Sequence, residues 1–291
     1  AEILTSNANT VDQNNTAGVV ANANFTDTVA SGDDISGSTI DVYDNNNLAL
    51  AQGNNAATAT SLTGYATNNT DSTMAALQNN VGDNSIEANA ESNDLSLVLD
   101  SEVDGSRATV SGNSDRTAAT ANNLTQQMTL GGTTLGLNTG SASANTLPST
   151  GETDAGIKDV QASGAALISS WQINDDTNVR ANTTDSVMEI DGAEEGDVVN
   201  IDGSVLDLSS NVQDATAIGS SVGNTMTLSG TTVGTEAAIV SAQTNTETAL
   251  VNATTSAQAR ILAETLGDTS GSSINLADNK IQSRAAGGSV T

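Results

Sequence analysis

Apolar and polar positions alternate along this chain in short bursts, separated by clusters of Asn, Asp, Gly and Ser. Thr39-Ile40-Asp41-Val42-Tyr43 is a clean two-residue alternation, the mark of a strand with one buried face. Asp44-Asn45-Asn46-Asn47 reads as a turn, Leu48-Ala49-Leu50-Ala51 as the next strand, and Gln52-Gly53-Asn54-Asn55-Ala56 as the turn after it. Upstream, short strands are predicted over 3–5, 18–22 and 25–29, with turns at Asn14-Asn15 and Gly32-Asp33-Asp34. The cadence returns from 95 to Gly112-Asn113, from 205 to Gly223-Asn224, and from 274 to Gly287-Gly288. Only 236–266 is rich enough in Ala and Glu to raise a helix, and its many Thr and Asn residues favour strands there too.

The bursts repeat. A shift of 98 lays 103–136 on 201–234 without a gap. Val103-Asp104-Gly105-Ser106 falls on Ile201-Asp202-Gly203-Ser204, Asn113 on Asn211, Ala119 on Ala217, and Met128-Thr129-Leu130 on Met226-Thr227-Leu228. A second repeat, at a shift of 71, lays 166–174 on 237–245. Ala76-Leu77-Gln78-Asn79-Asn80 reads as a worn copy of it. Short strands with Asn, Asp and Gly corners suit a β-sandwich or a β-solenoid, and repetition selects the solenoid, in which each coil buries its inner face only against its neighbours. The expected architecture is all-β, a single elongated repeat domain over 1–291, with a less repetitive excursion at 138–164 that holds Pro148.

Composition agrees with a thin core. Aromatic residues are 1% of the 291, so Ala, Val, Ile and Leu supply nearly all the apolar surface. Low hydrophobicity with a net charge of −28 resembles a disordered chain, yet there is one proline and only 14% of residues are charged. The polarity comes from Asn, Thr, Ser, Gly and Gln, which can ladder along stacked strands. Seven basic residues against thirty-five acidic ones make nucleic acid a poor partner. There is no cysteine, hence no disulfide. The start Ala1-Glu2-Ile3 reads like the residue after a cleaved signal peptide, so a secreted or cell-surface location is expected.

Candidate chemistry is sparse. Gly219-Ser220-Ser221-Val222-Gly223 has the form of a hydrolase nucleophile elbow, but the chain has no histidine to activate the serine. The same absence removes the usual zinc sites. Asp100-Ser101-Glu102-Val103-Asp104-Gly105 resembles the start of a calcium loop, although Ser111 stands where a bidentate Glu is needed. The densest acidic cluster, Asp191, Glu194, Glu195, Asp197 and Asp202, is the candidate for a loosely held Ca²⁺; a solvated acidic turn is the simpler reading. No other cofactor and no catalytic residue is expected. Glycosylation sequons, among them those that begin at Asn24, Asn68, Asn123, Asn182 and Asn252, are what chance supplies in so Asn- and Thr-rich a chain.

Gln52-Gly53-Asn54-Asn55-Ala56, the Gly-Asn corners and the alternating strands resemble exported β-repeat proteins of bacterial surfaces, namely curli-like fibre subunits and holdfast-anchoring proteins. The resemblance implies stacked β coils, export, and a role in fibres, adhesion or biofilm matrix, with no catalytic residues to carry over. The functional expectation is an extracellular structural protein that forms or anchors a cell-surface fibre. Its partners would be further copies of itself, with a surface polysaccharide or outer-membrane anchor as others. The alternatives are a solenoid adhesin for glycans or ice, suggested by Thr133-Thr134 and Thr231-Thr232, and a β-helical polysaccharide-acting enzyme.

Overall fold

The computed structural model describes residues 2–3, 6–31, 34–68, 71–135, 142–144, 160–162, 165–192, 199–234, 236–246, 248–256, 258–265 and 267–291. Among these residues there are strands and no helix. After a two-residue strand β1 (Glu2–Ile3), a first coil runs through β2 (Ser6–Asn15), β3 (Val19–Asn22), β4 (Thr26–Ser31), β5 (Ile35–Ser36), β6 (Thr39–Tyr43) and β7 (Asn46–Asn68). The second coil is β8 (Asp71–Glu91), β9 (Asp94–Leu99), β10 (Val103–Asp104), β11 (Arg107–Ser111) and β12 (Ser114–Leu135). A small hairpin, β13 (Ala142–Ala144) and β14 (Val160–Ala162), intervenes. The third coil is β15 (Ala165–Thr184), β16 (Val187–Gly192), β17 (Ile201–Asp202), β18 (Val205–Ser209), β19 (Val212–Ser229) and β20 (Thr232–Val233). The fourth is β21 (Glu236–Asn245), β22 (Leu250–Thr255), β23 (Arg260–Thr265), β24 (Thr269–Ser270), β25 (Ser273–Ala277) and β26 (Lys280–Val290).

Equivalent strands of successive coils pair in parallel, giving five stacked sheets. Sheet 1 holds β2 and β3, β8, β15, then β21 and β22; sheet 2 holds β4, β9, β16 and β23. Sheet 3 is β5, β10, β17 and β24, and sheet 4 is β6, β11, β18 and β25. Sheet 5 runs β1, β7, β12, β19 and β26, with β20 also on β12. The fold is therefore a β-solenoid and not a sandwich. Its register is the one the repeats dictate: Val103 pairs with Ile201 and Met128 with Met226, while 166–174 lie on 237–245 residue for residue. The segment 236–266, with its helix-like composition, forms β21, β22 and β23.

The long sheets 1 and 5 face each other, and the short sheets 2 to 4 close one end of the cross-section. That end is filled by a branched aliphatic column containing Leu95, Leu97, Leu99, Val110, Ile190 and Leu208. Next comes a cluster dominated by alanines, including Ala51, Ala88, Ala119, Ala181 and Ala217, with Ile86 and Val179 among them. Beyond it lies a band of buried Asn and Gln, and beyond that a second apolar cluster with Met74, Met128, Leu130 and Ile168. The interior is thus a thin column of alanine, branched aliphatic, methionine and amide side chains, packed with almost no aromatics.

Two corners recur in all four coils. Between sheets 3 and 4, Gly37, Gly105, Gly203 and Gly271 adopt φ of 57°, 54°, 57° and 64°, the left-handed region where a missing Cβ removes the steric penalty. Between sheets 4 and 5 the same conformation falls to Asp44, Gly112, Ser210 and Asp278. Other glycines work differently. Gln52-Gly53-Asn54-Asn55-Ala56, read from sequence as a turn, lies wholly inside the continuous strand β7, and Gly223-Asn224 and Gly287-Gly288 lie inside β19 and β26. In β12 the buried positions are odd-numbered from 115 to 121 and even-numbered from 122 to 130. The inward face switches at 121/122, the column occupied by Gly53, Gly219 and Gly287 in the other coils. A Cβ on Gly53 would stand 2.6 Å from Ala121 O and 2.5 Å from Ile86 Cδ1. These glycines permit a bend within a strand, not a reversal.

Candidate functional site

The chemistry-bearing groups of the described residues are arranged in columns along the stack. Four of these columns are uniform in every coil. At the corner between sheets 3 and 4, the Ser38, Ser106 and Ser204 backbone N–H groups donate to the Oγ of Ser106, Ser204 and Ser272 (3.0, 2.9 and 3.1 Å). At the corner between sheets 4 and 5, Asn45, Asn113 and Asn211 each donate both backbone N–H and Nδ2 to the Oδ1 of the next asparagine, ending on Asn279, over 3.0–3.1 Å. Inside the tube, Gln78, Gln172 and Gln243 each donate Nε2 to the Oε1 of Gln13, Gln78 and Gln172, always at 2.8 Å. Beside them Asn15, Asn80 and Asn174 donate Nδ2 to the Oδ1 of Asn80, Asn174 and Asn245 (3.1, 3.0 and 2.8 Å).

The inner columns also tie sheet 1 to sheet 5. Asn122 Nδ2 donates to Asn174 Oδ1 (3.0 Å), Asn80 Nδ2 to Asn122 Oδ1 (2.8 Å), and Gln78 Nε2 to Asn123 O (2.8 Å). A buried amide is costly unless its hydrogen bonds are made, and here most of them are. Ser221, the would-be nucleophile, lies within the continuous strand β19 beside this band, and its carbonyl accepts a hydrogen bond from Gln172 Nε2 (2.8 Å); there is no strand-to-helix elbow.

The acidic motifs divide among corners and sheet faces. Asp104 and Asp202 occupy one outward column with Ser36 and Ser270 at the end of sheet 3, and Gly105 is the glycine of that corner, so the calcium-loop resemblance of 100–105 reflects a solenoid turn. Asp191 stands in β16 on sheet 2. Glu194, Glu195 and Asp197 lie outside the described residues. Among the described residues no group of three or more acidic, His or Cys side chains is gathered to hold a metal ion. Thr134 pairs with Thr232 and with Thr67, a column three residues long.

Sheet 2 carries its own electrostatic feature. Burial pushes the Glu189 carboxyl up, helped by the charges of Asp94 and Asp191 and opposed by a hydrogen bond from Ser96 and by Arg260. Burial likewise raises Asp94, with Arg260 opposing. Basic residues are too few to neutralise this face.

The ends of the stack are where the pattern is unfinished. Leu206 and Leu208 of the third coil are fully buried, whereas Ile274 and Leu276, the next residues in the same columns, are 42% and 53% exposed. Ile239, Leu250, Ile281 and Val290 of the fourth coil are exposed as well. Among the described residues nothing covers this face. Open ends of the stack follow from a solenoid reading of the sequence, but the residues that line them do not, because Ile274 and Leu276 have the same pattern as the buried Leu206 and Leu208. No family model, curated protein or solved structure matches the chain.

Proposed function

We propose that the protein is an extracellular structural protein whose solenoid forms, or anchors, a cell-surface fibre. The observation that carries this reading is the open edge of the fourth coil, where, among the described residues, inward-facing Ile274 and Leu276 stand exposed at the end of columns that are buried one coil earlier. An unpaired strand edge above an exposed apolar core is a template for further strands. The polar inventory supports the same role, since its side chains are spent on ladders that hold coils together. Negative-stain microscopy and light scattering of the purified chain test the proposal. Filaments or a concentration-dependent series of oligomers are expected; a monomer at every salt concentration and pH overturns it.

A further inference from the structure

We infer that copies of this chain join head to tail in one register, the first coil of one copy seating on the fourth coil of the next as coils two and four seat on coils one and three. The inference rests on the self-association proposed above and adds to it the polarity and alignment of the joint.

Hydrogen-bond direction decides the polarity. The serine and both asparagine columns run one way, each coil donating to the next. At the fourth-coil end they leave the Ser272 and Asn279 backbone N–H groups and a proton on Nδ2 of Asn279 and of Asn245 unused among the described residues. At the first-coil end the groups left over are acceptors: Ser38 Oγ, Asn45 Oδ1 and Asn15 Oδ1, the last taking one bond from the Ala17 N–H. The glutamine column runs the opposite way, and its leftovers are reversed to match: Gln243 Oε1 can accept, and Gln13 Nε2 has a second proton. Head to tail, each of the four columns meets a complementary group. Head to head or tail to tail, donors face donors and acceptors face acceptors.

Register follows from the corners. Coils one and two, and coils three and four, are both offset by 68 residues at these columns. Setting Ser272 on Ser38 and Asn279 on Asn45 brings Asn275 beside Asp41, Leu276 over Val42, and Gln243 over Gln13. In this register β26 lies along 46–56 of the neighbour's β7, while that neighbour's own β1 pairs with Thr67 and Asn68, so the two strands do not compete. Both end coils are net negative, with seven acids and no base in 2–68 and five acids and three bases in 236–291, but two of those bases, Lys280 and Arg284, stand on β26, the strand that meets the base-free first coil in this register.

Cysteine pairing tests this directly, because the chain has none of its own. Asp41 and Asn275 point to solvent, and directly paired residues on adjacent strands lie about 4.8 Å apart, inside the Cα range of about 4.4–6.8 Å that a disulfide bridges. D41C and N275C are prepared separately and oxidised alone and mixed. The expected result is a 41–275 linked dimer in the mixture only, and a ladder of higher oligomers from the D41C/N275C double variant. Homodimers through 41–41 or 275–275, or filaments whose mixture gives no 41–275 link, overturn the register while leaving self-association standing. Monomers throughout overturn both. As a second measure, K280E/R284E slows association at low salt, and the loss is smaller at high salt; an unchanged rate counts against the joint.

Discussion

Asn113 gives both its backbone N–H and its side-chain Nδ2 to a single atom, Oδ1 of Asn211, ninety-eight residues away, at 3.1 and 3.0 Å. Asn211 passes the pattern on to Asn279 and also donates to Val110 O (2.9 Å). Both asparagines are fully buried. One side chain therefore satisfies a backbone group that the corner itself leaves unpaired. Asn211→Ala strands the Asn113 N–H and one of the two Nδ2 protons, the other remaining on Val42 O, at a cost of about 2–4 kcal/mol for the buried groups left without partners. Thermal or urea unfolding measures it. A loss no larger than the roughly 0.5 kcal/mol typical of surface changes would show the column to be incidental.

Much of this was legible in the sequence, for a physical reason. Coils that stack in register must present like residues to like positions, so Ser106 and Ser204, or Asn113 and Asn211, appear as identities at a fixed spacing. The left-handed corners at Gly105 and Gly203 are visible for the same cause. The role of Gly53 was not legible, because a glycine that permits a strand to switch faces and a glycine that turns the chain both simply lack a Cβ. Hydrogen-bond direction was also hidden, since an asparagine column reads the same from either end. Of the acidic cluster at Asp191 to Asp202, the described members Asp191 and Asp202 stand on different sheets, which adjacency in sequence does not reveal.

Stability should rise on mild acidification. A carboxyl whose folded pKa exceeds its unfolded value binds its proton more tightly in the folded state. Glu189 and Asp94, both raised by burial, therefore carry an ionisation penalty at neutral pH. It is relieved as pH falls through their raised values, and nothing further is gained below the ordinary carboxyl range of about 4. The melting temperature is expected to climb between pH 7.5 and about 4.5. Glu189→Gln keeps an acceptor for the Ser96 hydroxyl, so it should raise the melting temperature at pH 7.5 and flatten the climb. A variant with the wild-type profile would remove Glu189 from the account.

Gln126 is an exception within the amide-rich interior. It is 1% exposed, and neither Oε1 nor Nε2 has a hydrogen-bond partner. It lies one inward step from Met128 and pairs with Thr58 and Asn224 in the adjoining coils. An unsatisfied buried amide costs about 1–3 kcal/mol, and methionine fills nearly the same volume without that penalty. Gln126→Met should stabilise the fold by an amount of that order in denaturant unfolding. Destabilisation would instead reveal a polar partner, such as an enclosed water, that the amide holds.

Trp171 reports on the one interruption of the stack. Its neighbours Ser170 and Gln172 make their hydrogen bonds toward sheet 5, so the indole is directed to the opposite side of sheet 1. It is nevertheless only 4% exposed and packs with Leu77 and Ile173. The β13–β14 hairpin backbone lies against β8, β15 and β21, the strands that carry this cluster. Coil pairing marks where the hairpin was inserted: the offset between partners is 67 at Leu135 and Asn68 but 94 at Ala166 and Ser72, a step of 27 residues. Deleting 138–164 removes that number and restores the coil length found between the first two coils. The deletion should leave the parallel stack folded, seen as an unchanged far-ultraviolet spectrum, while the emission of this single tryptophan shifts to the red and becomes open to quenching by iodide. Unfolding of the deletion variant would show that the excursion holds the two halves of the solenoid together, and unaltered emission would mean that the sheet itself shields the indole.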